Sequence, residues 1–263
     1  MRENKLREML RQGKPTIGTH IHSTWPGTAE IIGLSGEIDY IEFTSAYAPY
    51  DLYALDNLSR AIELYDLSSM IKVDQEPRTY LAQRALGAGI QNVLFADIRT
   101  VEDAKESVRS VRAETPETKG INGCSMLRNV GYLVDCGSPE FVKAMEDSVV
   151  ALMIEKKSAV DNLEEILSVE GVDMVQFGPC DYSMSIGMPG QWTHPKVKEA
   201  ERKAIETALD MGVAPRAEID SVDQAKEYIN LGVRDFCMGT DVVILHQWLK
   251  KNGSELRNAL SET

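Results

Sequence analysis

The sequence predicts an α/β chain folded as a (β/α)8 TIM barrel, and three observations carry that expectation. Helix-like segments end repeatedly in glycine and run straight into an apolar stretch. This happens at Gly36 (then DYIEF), Gly89 (IQNVLFADI), Gly171 (VDMVQFG), Gly212 (VAPRAEI) and Gly232 (VRDFCMG). Glycine supplies the left-handed cap that stops a helix. The apolar stretches are near-continuous rather than alternating, as in parallel strands covered on both faces. Eight such units fit a chain of 263 residues, the size of one closed barrel. An open doubly wound sheet is the alternative. It would carry a GxGxxG turn after its first strand, and GTHIHSTWPG has none.

Taken in order, the strand candidates are 16–22, 39–45, 69–73, 92–98, 149–155, 173–178, 213–218 and 235–239. Between them lie helical patterns. Thr100 opens TVEDAKESVRSVR with a capping hydroxyl and acids in the first turn. Ser221 opens SVDQAKEYINLG in the same style, and KKSAVDNLEEILSVEG places Val160, Leu163, Ile166 and Leu167 at helical spacing. No linker or low-complexity segment interrupts the alternation, so residues 1–263 read as a single domain. The stretch 113–148 is too long for one βα loop and contains Gly120, Gly123, Gly131 and Gly137. It reads as an ordered insertion over the barrel mouth, where long loops are often functional.

Charge excludes some functions. With 41 acidic and 28 basic residues, the net charge is −13. A nucleic-acid or anionic-membrane surface needs the opposite sign. The sequence shows neither a signal-peptide core nor an 18-residue apolar span, so a cytoplasmic protein is expected. Its four cysteines (124, 136, 180 and 237) form no CxxC pair and match no zinc spacing, which predicts reduced thiols.

In a barrel, the chemistry gathers at the C-terminal ends of the strands. Two of only four histidines, His20 and His22, sit two apart at the end of the first strand candidate and so share a face. Lys72 ends the third candidate, Glu155 abruptly ends the apolar VVALMIE, and Asp181 closes MVQFGPCD on the next. Two carboxylates on one rim repel unless a cation or a shared proton joins them. Open oxygen coordination of this kind suits Mg²⁺ or Mn²⁺, with Co²⁺ a further candidate. The competing reading pairs Glu155 with Lys156 or Lys72. Gly178, Pro179 and Cys180 form a turn whose N–H groups can hold a carboxylate, or else an ordinary βα turn. Arg216 and Glu218, on one strand face, read as a mutually neutralising pair. Cys180 reads as a small filler rather than a nucleophile.

The stretch VALMIEKKSAVDNLEEILSVEGVDMVQFGPCDYSMSIGMPGQWTHPKV resembles the hallmark segment of the HpcH/HpaI aldolases. That family, of class II pyruvate aldolases, shows an apolar strand into IE, an ENLDEI-like helix, GVD, a strand into GPxDLSxxxG, and HPxV. Weaker similarity covers LRQGKPTIGTHIHSTWPGTAEIIGLSGEIDYIEF, ALGAGIQNVLFADIRTVEDAKESV and LGVRDFCMGTDVVIL. The resemblance implies a (β/α)8 barrel assembled as a homo-oligomer, a hexamer or trimer of dimers, with exchanged C-terminal helices. It implies a divalent metal on Glu155 and Asp181. It also implies a small-molecule 2-keto acid whose carboxylate meets the Gly178–Pro179–Cys180 turn. The pyruvate-type enolate, stabilised by the metal as a Lewis acid, adds to an aldehyde or leaves on C–C cleavage.

The departures concern acid–base chemistry. Where the family reads roughly D-x-E-H-G/S-P, this chain has Thr44-Ser45-Ala46-Tyr47-Ala48-Pro49, with Tyr47 in place of the histidine. The family's aspartate partner matches Gly87, and its arginine matches Lys72. Lys72 keeps a positive charge, whereas Tyr47 needs a nearby cation to work near neutral pH. His20 and His22, added beside this frame, are candidates for a relocated base or for substrate contacts. Metal ligation by these histidines is the weaker reading, because an oxygen-preferring ion suits the carboxylates. Three functions stay open: a metal-dependent aldolase, a metal-dependent decarboxylase of 2-keto diacids, and a keto-acid-binding barrel without turnover.

Overall fold

All eight apolar runs form strands, each within two residues of its expected bounds. In this computed structural model, which describes residues 2–261, they are β1 (Thr16–Ile21), β2 (Tyr40–Thr44), β3 (Ser68–Val73), β4 (Asn92–Ile98), β5 (Val150–Ile154), β6 (Met174–Phe177), β7 (Ala214–Ile219) and β8 (Asp235–Thr240). Neighbours pair in parallel and β8 pairs back onto β1, closing the barrel. Helices separate the strands throughout.

The inward face of each strand changes character along its length. At the N-terminal end, Tyr40, Met70, Leu94, Ala151, Met153 and Met174 pack with Leu6 in one apolar plug. Two residues further along the same faces stand Glu42, Lys72 and Gln176, and Glu155 is two beyond Met153. The lower barrel is therefore closed by apolar packing and the upper barrel is lined with charge. Outward residues such as Ile41, Phe43, Ile71, Phe95 and Ile154 pack against the helices in the main core. Leu6 belongs to the helix Lys5–Arg11. Arg7 ties that helix to Asp173 through contacts of 2.5 and 2.7 Å.

Local signals mostly act as the sequence suggests. Thr100 and Asp103 form a reciprocal capping box at the helix Val101–Ser110. The segment after Glu155 differs: it breaks at Asn162 into two short helices, Lys157–Asp161 and Leu163–Leu167.

Two expectations are corrected. The insertion 113–148 does not cover the barrel mouth. It follows the helix Val101–Ser110 and leads into β5, so the chain delivers it to the opposite, N-terminal face. There Leu127 packs on Gly87, and Arg128 bonds Glu63 and the Ala88 carbonyl. Within it Cys124 and Cys136 are joined by a disulfide, with Cα atoms 5.7 Å apart, so these two are not the reduced thiols expected. Folding of the insertion brings the two residues together, and Gly137 leaves room beside Cys124. Cys180 and Cys237 are free thiols.

The last helix, Asp241–Ser261, buries none of its side chains. It exposes Val242, Ile244, Leu245, Trp248, Leu249 and Leu256. Among the described residues, no helix is long and apolar enough to cross a membrane.

Candidate active site

A cavity of about 540 Å³ opens at the C-terminal ends of the strands. Its wall includes every site residue expected from sequence: His20, His22, Tyr47, Lys72, Glu155, Gly178, Pro179, Cys180 and Asp181. Two groups of side chains occupy its opposite sides.

On the β5–β6 side, Glu155 is buried just beyond β5. Its Oε1 accepts the Asp97 backbone N–H at 2.8 Å. Burial pushes its carboxyl above the usual range; Lys72 and the Asp97 N–H pull the other way, while Asp181 and Asp97 add to the rise. Gly178 makes this arrangement possible. A Cβ there would lie 2.6 Å from Glu155 Oε2 and 2.8 Å from its Cβ. The turn then starts the helix Pro179–Ser185, so the Cys180 and Asp181 N–H groups lie in a first turn and lack intrahelical acceptors. The expected lysine partner of Glu155 goes elsewhere. Lys156 Nζ sits 2.8 Å from Asp181 Oδ1 and 2.7 Å from Asp97 Oδ1.

On the β2–β3 side, Lys72 Nζ donates to Tyr47 Oη at 3.2 Å. Tyr47 thus has a cation beside its hydroxyl. Burial lowers the Lys72 ammonium's pKa, but Tyr47, Glu155 and Glu42 more than offset this and raise it. The His22 ring meets Tyr47 edge-on, with centroids 5.6 Å apart. Gly87, the position matching the family's aspartate, ends a helix at the far face of the barrel. Within one chain it does not meet Tyr47.

Across the floor runs a closed ring of polar contacts. His20 Nε2 is 3.2 Å from Glu42 Oε1, and Glu42 Oε2 is 2.5 Å from Arg216 Nη2. Arg216 Nε donates to Gln176 Oε1 at 2.6 Å, and Gln176 Nε2 donates to Glu218 Oε2 at 2.9 Å. Glu218 Oε1 closes the ring 3.4 Å from His20 Nδ1. The contact of Glu42 with Arg216 is an ion pair rather than an aligned hydrogen bond, and its approach to His20 is likewise unaligned. Arg216 therefore pairs across the barrel with Glu42, not with Glu218 as expected. Residues two apart share a face, but the inward side chains of β2 and β7 meet in the lumen. Burial opposes the charge on both Glu42 and Arg216. Their mutual attraction more than offsets it, leaving Glu42 below the usual carboxylate range and Arg216 well above its own.

Sequence reading missed Glu42 and Gln176, whereas Asp97 is one of the polar residues at the strand ends. Glu42 interrupts the otherwise apolar core of DYIEF, and that interruption is the one signal that marks it. Ligand-capable atoms of His20, Glu42 and Cys237 lie within 4.8 Å of one another. Arg216 already supplies the cation there, and burial holds the Cys237 thiol well above its usual pKa. Glu155 and Asp181 line the same cavity beside Gly178 and offer two carboxylates that could hold a divalent ion. Cys180 is an unpromising nucleophile, because burial followed by Asp181 and Glu218 raises its thiol pKa.

Residues 45–246 match the HpcH/HpaI aldolase/citrate lyase family. The chain belongs to that family. It is 29% identical to a 4-hydroxy-2-oxo-heptane-1,7-dioate aldolase of Escherichia coli, over 92% of this chain and 91% of the relative. It is equally similar, at 29%, to a pyruvate aldolase of Rhizobium etli, over 92% and 93% of the two chains. Among solved structures, an HpcH/HpaI aldolase/citrate lyase family protein from Burkholderia cenocepacia superposes with a TM-score of 0.87. The two share 28% identity over 97% of this chain and all of that one. Family membership and these relatives support an aldolase-family lyase.

Proposed function

We propose that this protein is a divalent-metal-dependent carbon–carbon lyase acting on 4-hydroxy-2-keto acids through a pyruvate-type enolate. The observation that carries the reading is that Glu155 and Asp181 line one cavity with Gly178, Lys72 and Tyr47. Glu155 and Asp181 would hold Mg²⁺ or Mn²⁺. When bound, the ion supplies a Lewis acid that stabilises the enolate oxygen. The first-turn N–H groups of Cys180 and Asp181 face the keto-acid carboxylate. Lys72 places positive charge beside the developing enolate. Tyr47 Oη, held by Lys72, moves the proton at the aldehyde oxygen. His22 packs against Tyr47 and orients it. His20, with both ring nitrogens engaged by carboxylates, positions the floor of the cavity. Thr44 Oγ1, buried on the wall with no hydrogen-bond partner among the described residues, offers a contact to a substrate hydroxyl.

A decarboxylase of 2-keto diacids is the second reading, favoured by the loss of the family histidine at Tyr47. Supplying 4-hydroxy-2-oxo-heptane-1,7-dioate and oxaloacetate separately, with Mg²⁺ or with EDTA, separates the two. Metal-dependent pyruvate release from the first substrate supports the lyase. Carbon dioxide release from oxaloacetate alone supports the decarboxylase, and turnover unaffected by EDTA contradicts both.

For the assembly, we propose a homo-oligomer in which the exposed apolar side of Asp241–Ser261 packs on a second copy. Light scattering on the purified chain tests this, and a monomer contradicts it.

A further inference from the structure

Lys156 occupies an unusual position for a residue adjoining a metal ligand. Its ammonium bridges Asp181, on the helix after β6, and Asp97, at the end of β4. Its side chain is 15% exposed, so the contacts are partly shielded from solvent. Asp97 is held there by the backbone. It is a non-glycine residue at φ 55°, a left-handed conformation costing about 1 kcal/mol. The β4–β5 register shifts between Phe95 and Ile98, around this residue. The distortion aims the Asp97 N–H at Glu155 Oε1 and its carboxylate at Lys156. Arg99 approaches the same carboxylate at 3.5 Å.

We propose that Lys156 is a resident cation that competes with the divalent ion for Asp181 and withdraws to Asp97 when the ion binds. This rests on the metal reading above. A divalent cation on Glu155 and Asp181 repels the ammonium. Asp97 is the carboxylate that retains it without moving the main chain. Lys156 thereby keeps Asp181 neutralised and positioned in the metal-free protein, and sets the affinity of the loaded one.

The test titrates the full-length protein with Mn²⁺ and follows free ion by electron paramagnetic resonance. Lys156→Met removes the competitor and is expected to bind Mn²⁺ about tenfold more tightly, the scale of one charge about 4 Å away in a water-like dielectric. Lys156→Arg keeps the charge and is expected to stay close to wild type. Asp97→Asn removes the alternative partner but keeps the backbone N–H on Glu155, and is expected to bind about tenfold more weakly. A purely structural Lys156 would give weaker binding in Lys156→Met, and unchanged or weaker binding there overturns the proposal. Wild-type affinity in Asp97→Asn overturns it as well. Absence of Mn²⁺ binding in wild type and all variants overturns the metal reading itself, and this inference with it.

Discussion

The two sides of the barrel mouth use charge in opposite ways. Across the floor, from β1 and β2 to β6 and β7, His20, Glu42, Arg216, Gln176 and Glu218 contact one another in a closed ring. On the β5–β6 side, Glu155 and Asp181 line one cavity wall, with Lys156 on Asp181. Burial raises the Glu155 carboxyl and Asp181 raises it further. A network centred on the buried Glu42–Arg216 ion pair holds a shape. On the second side Lys156 already neutralises Asp181, and a divalent ion would have to displace it. If the first side is architectural and the second chemical, as proposed, substitutions on the two sides should fail differently.

The largest effect is expected at Glu155. Glu155→Gln should abolish Mn²⁺ binding and lower turnover by about three orders of magnitude, while thermal stability stays the same or rises as the buried charge is removed. Calorimetry and a pyruvate-release assay on one preparation read both quantities. A large loss of stability would move Glu155 to the architectural side. Arg216→Met should do the reverse, costing about 3–5 kcal/mol of stability because Glu42 is left buried and unpaired. Urea unfolding measures this, and an unchanged midpoint would break the comparison.

Acid sensitivity separates the two sides further. Because the folded pKa of Glu42 is depressed, its ion pair contributes stability above its unfolded value of about 4.3. That contribution is lost as pH falls through the lowered folded value. Glu42→Gln should be less stable than wild type near neutrality, and the gap should narrow in acid. A gap independent of pH would remove Glu42 from the account.

Smaller effects concern catalysis and local structure. Tyr47→Phe should lower turnover by about a hundredfold with Mn²⁺ affinity unchanged. An equal loss in both would mean that Tyr47 supports the metal site rather than proton movement. At the small end, Thr100→Ala removes half of a capping box on the barrel's outer layer and should cost about 1 kcal/mol without altering activity.

How much of this was legible in the sequence depends on the reach of each interaction. Strands and barrel closure were readable because glycine caps and apolar runs are local signals that repeat. The rim residues followed from strand ends, since chain direction places them. Partner choice did not follow. Arg216 is two residues from Glu218 in the chain, but its partner Glu42 lies across the lumen on β2. Lys156 adjoins Glu155, but strand geometry turns the two side chains to different neighbours, and the distorted Asp97 takes a share. The length of the insertion 113–148 suggests a lid, but its place in the chain order decides which face it occupies. A segment between a helix and the next strand must lie at the N-terminal face.

The central claim is enolisation of a 2-keto acid at Glu155 and Asp181. The most direct measurement incubates the protein with pyruvate and Mg²⁺ in D₂O and follows the methyl proton signal by nuclear magnetic resonance. The account predicts loss of that signal with wild type, dependent on metal, and none with Glu155→Gln. Persistence of the methyl signal in metal-loaded wild type, or equal exchange in Glu155→Gln, would contradict it.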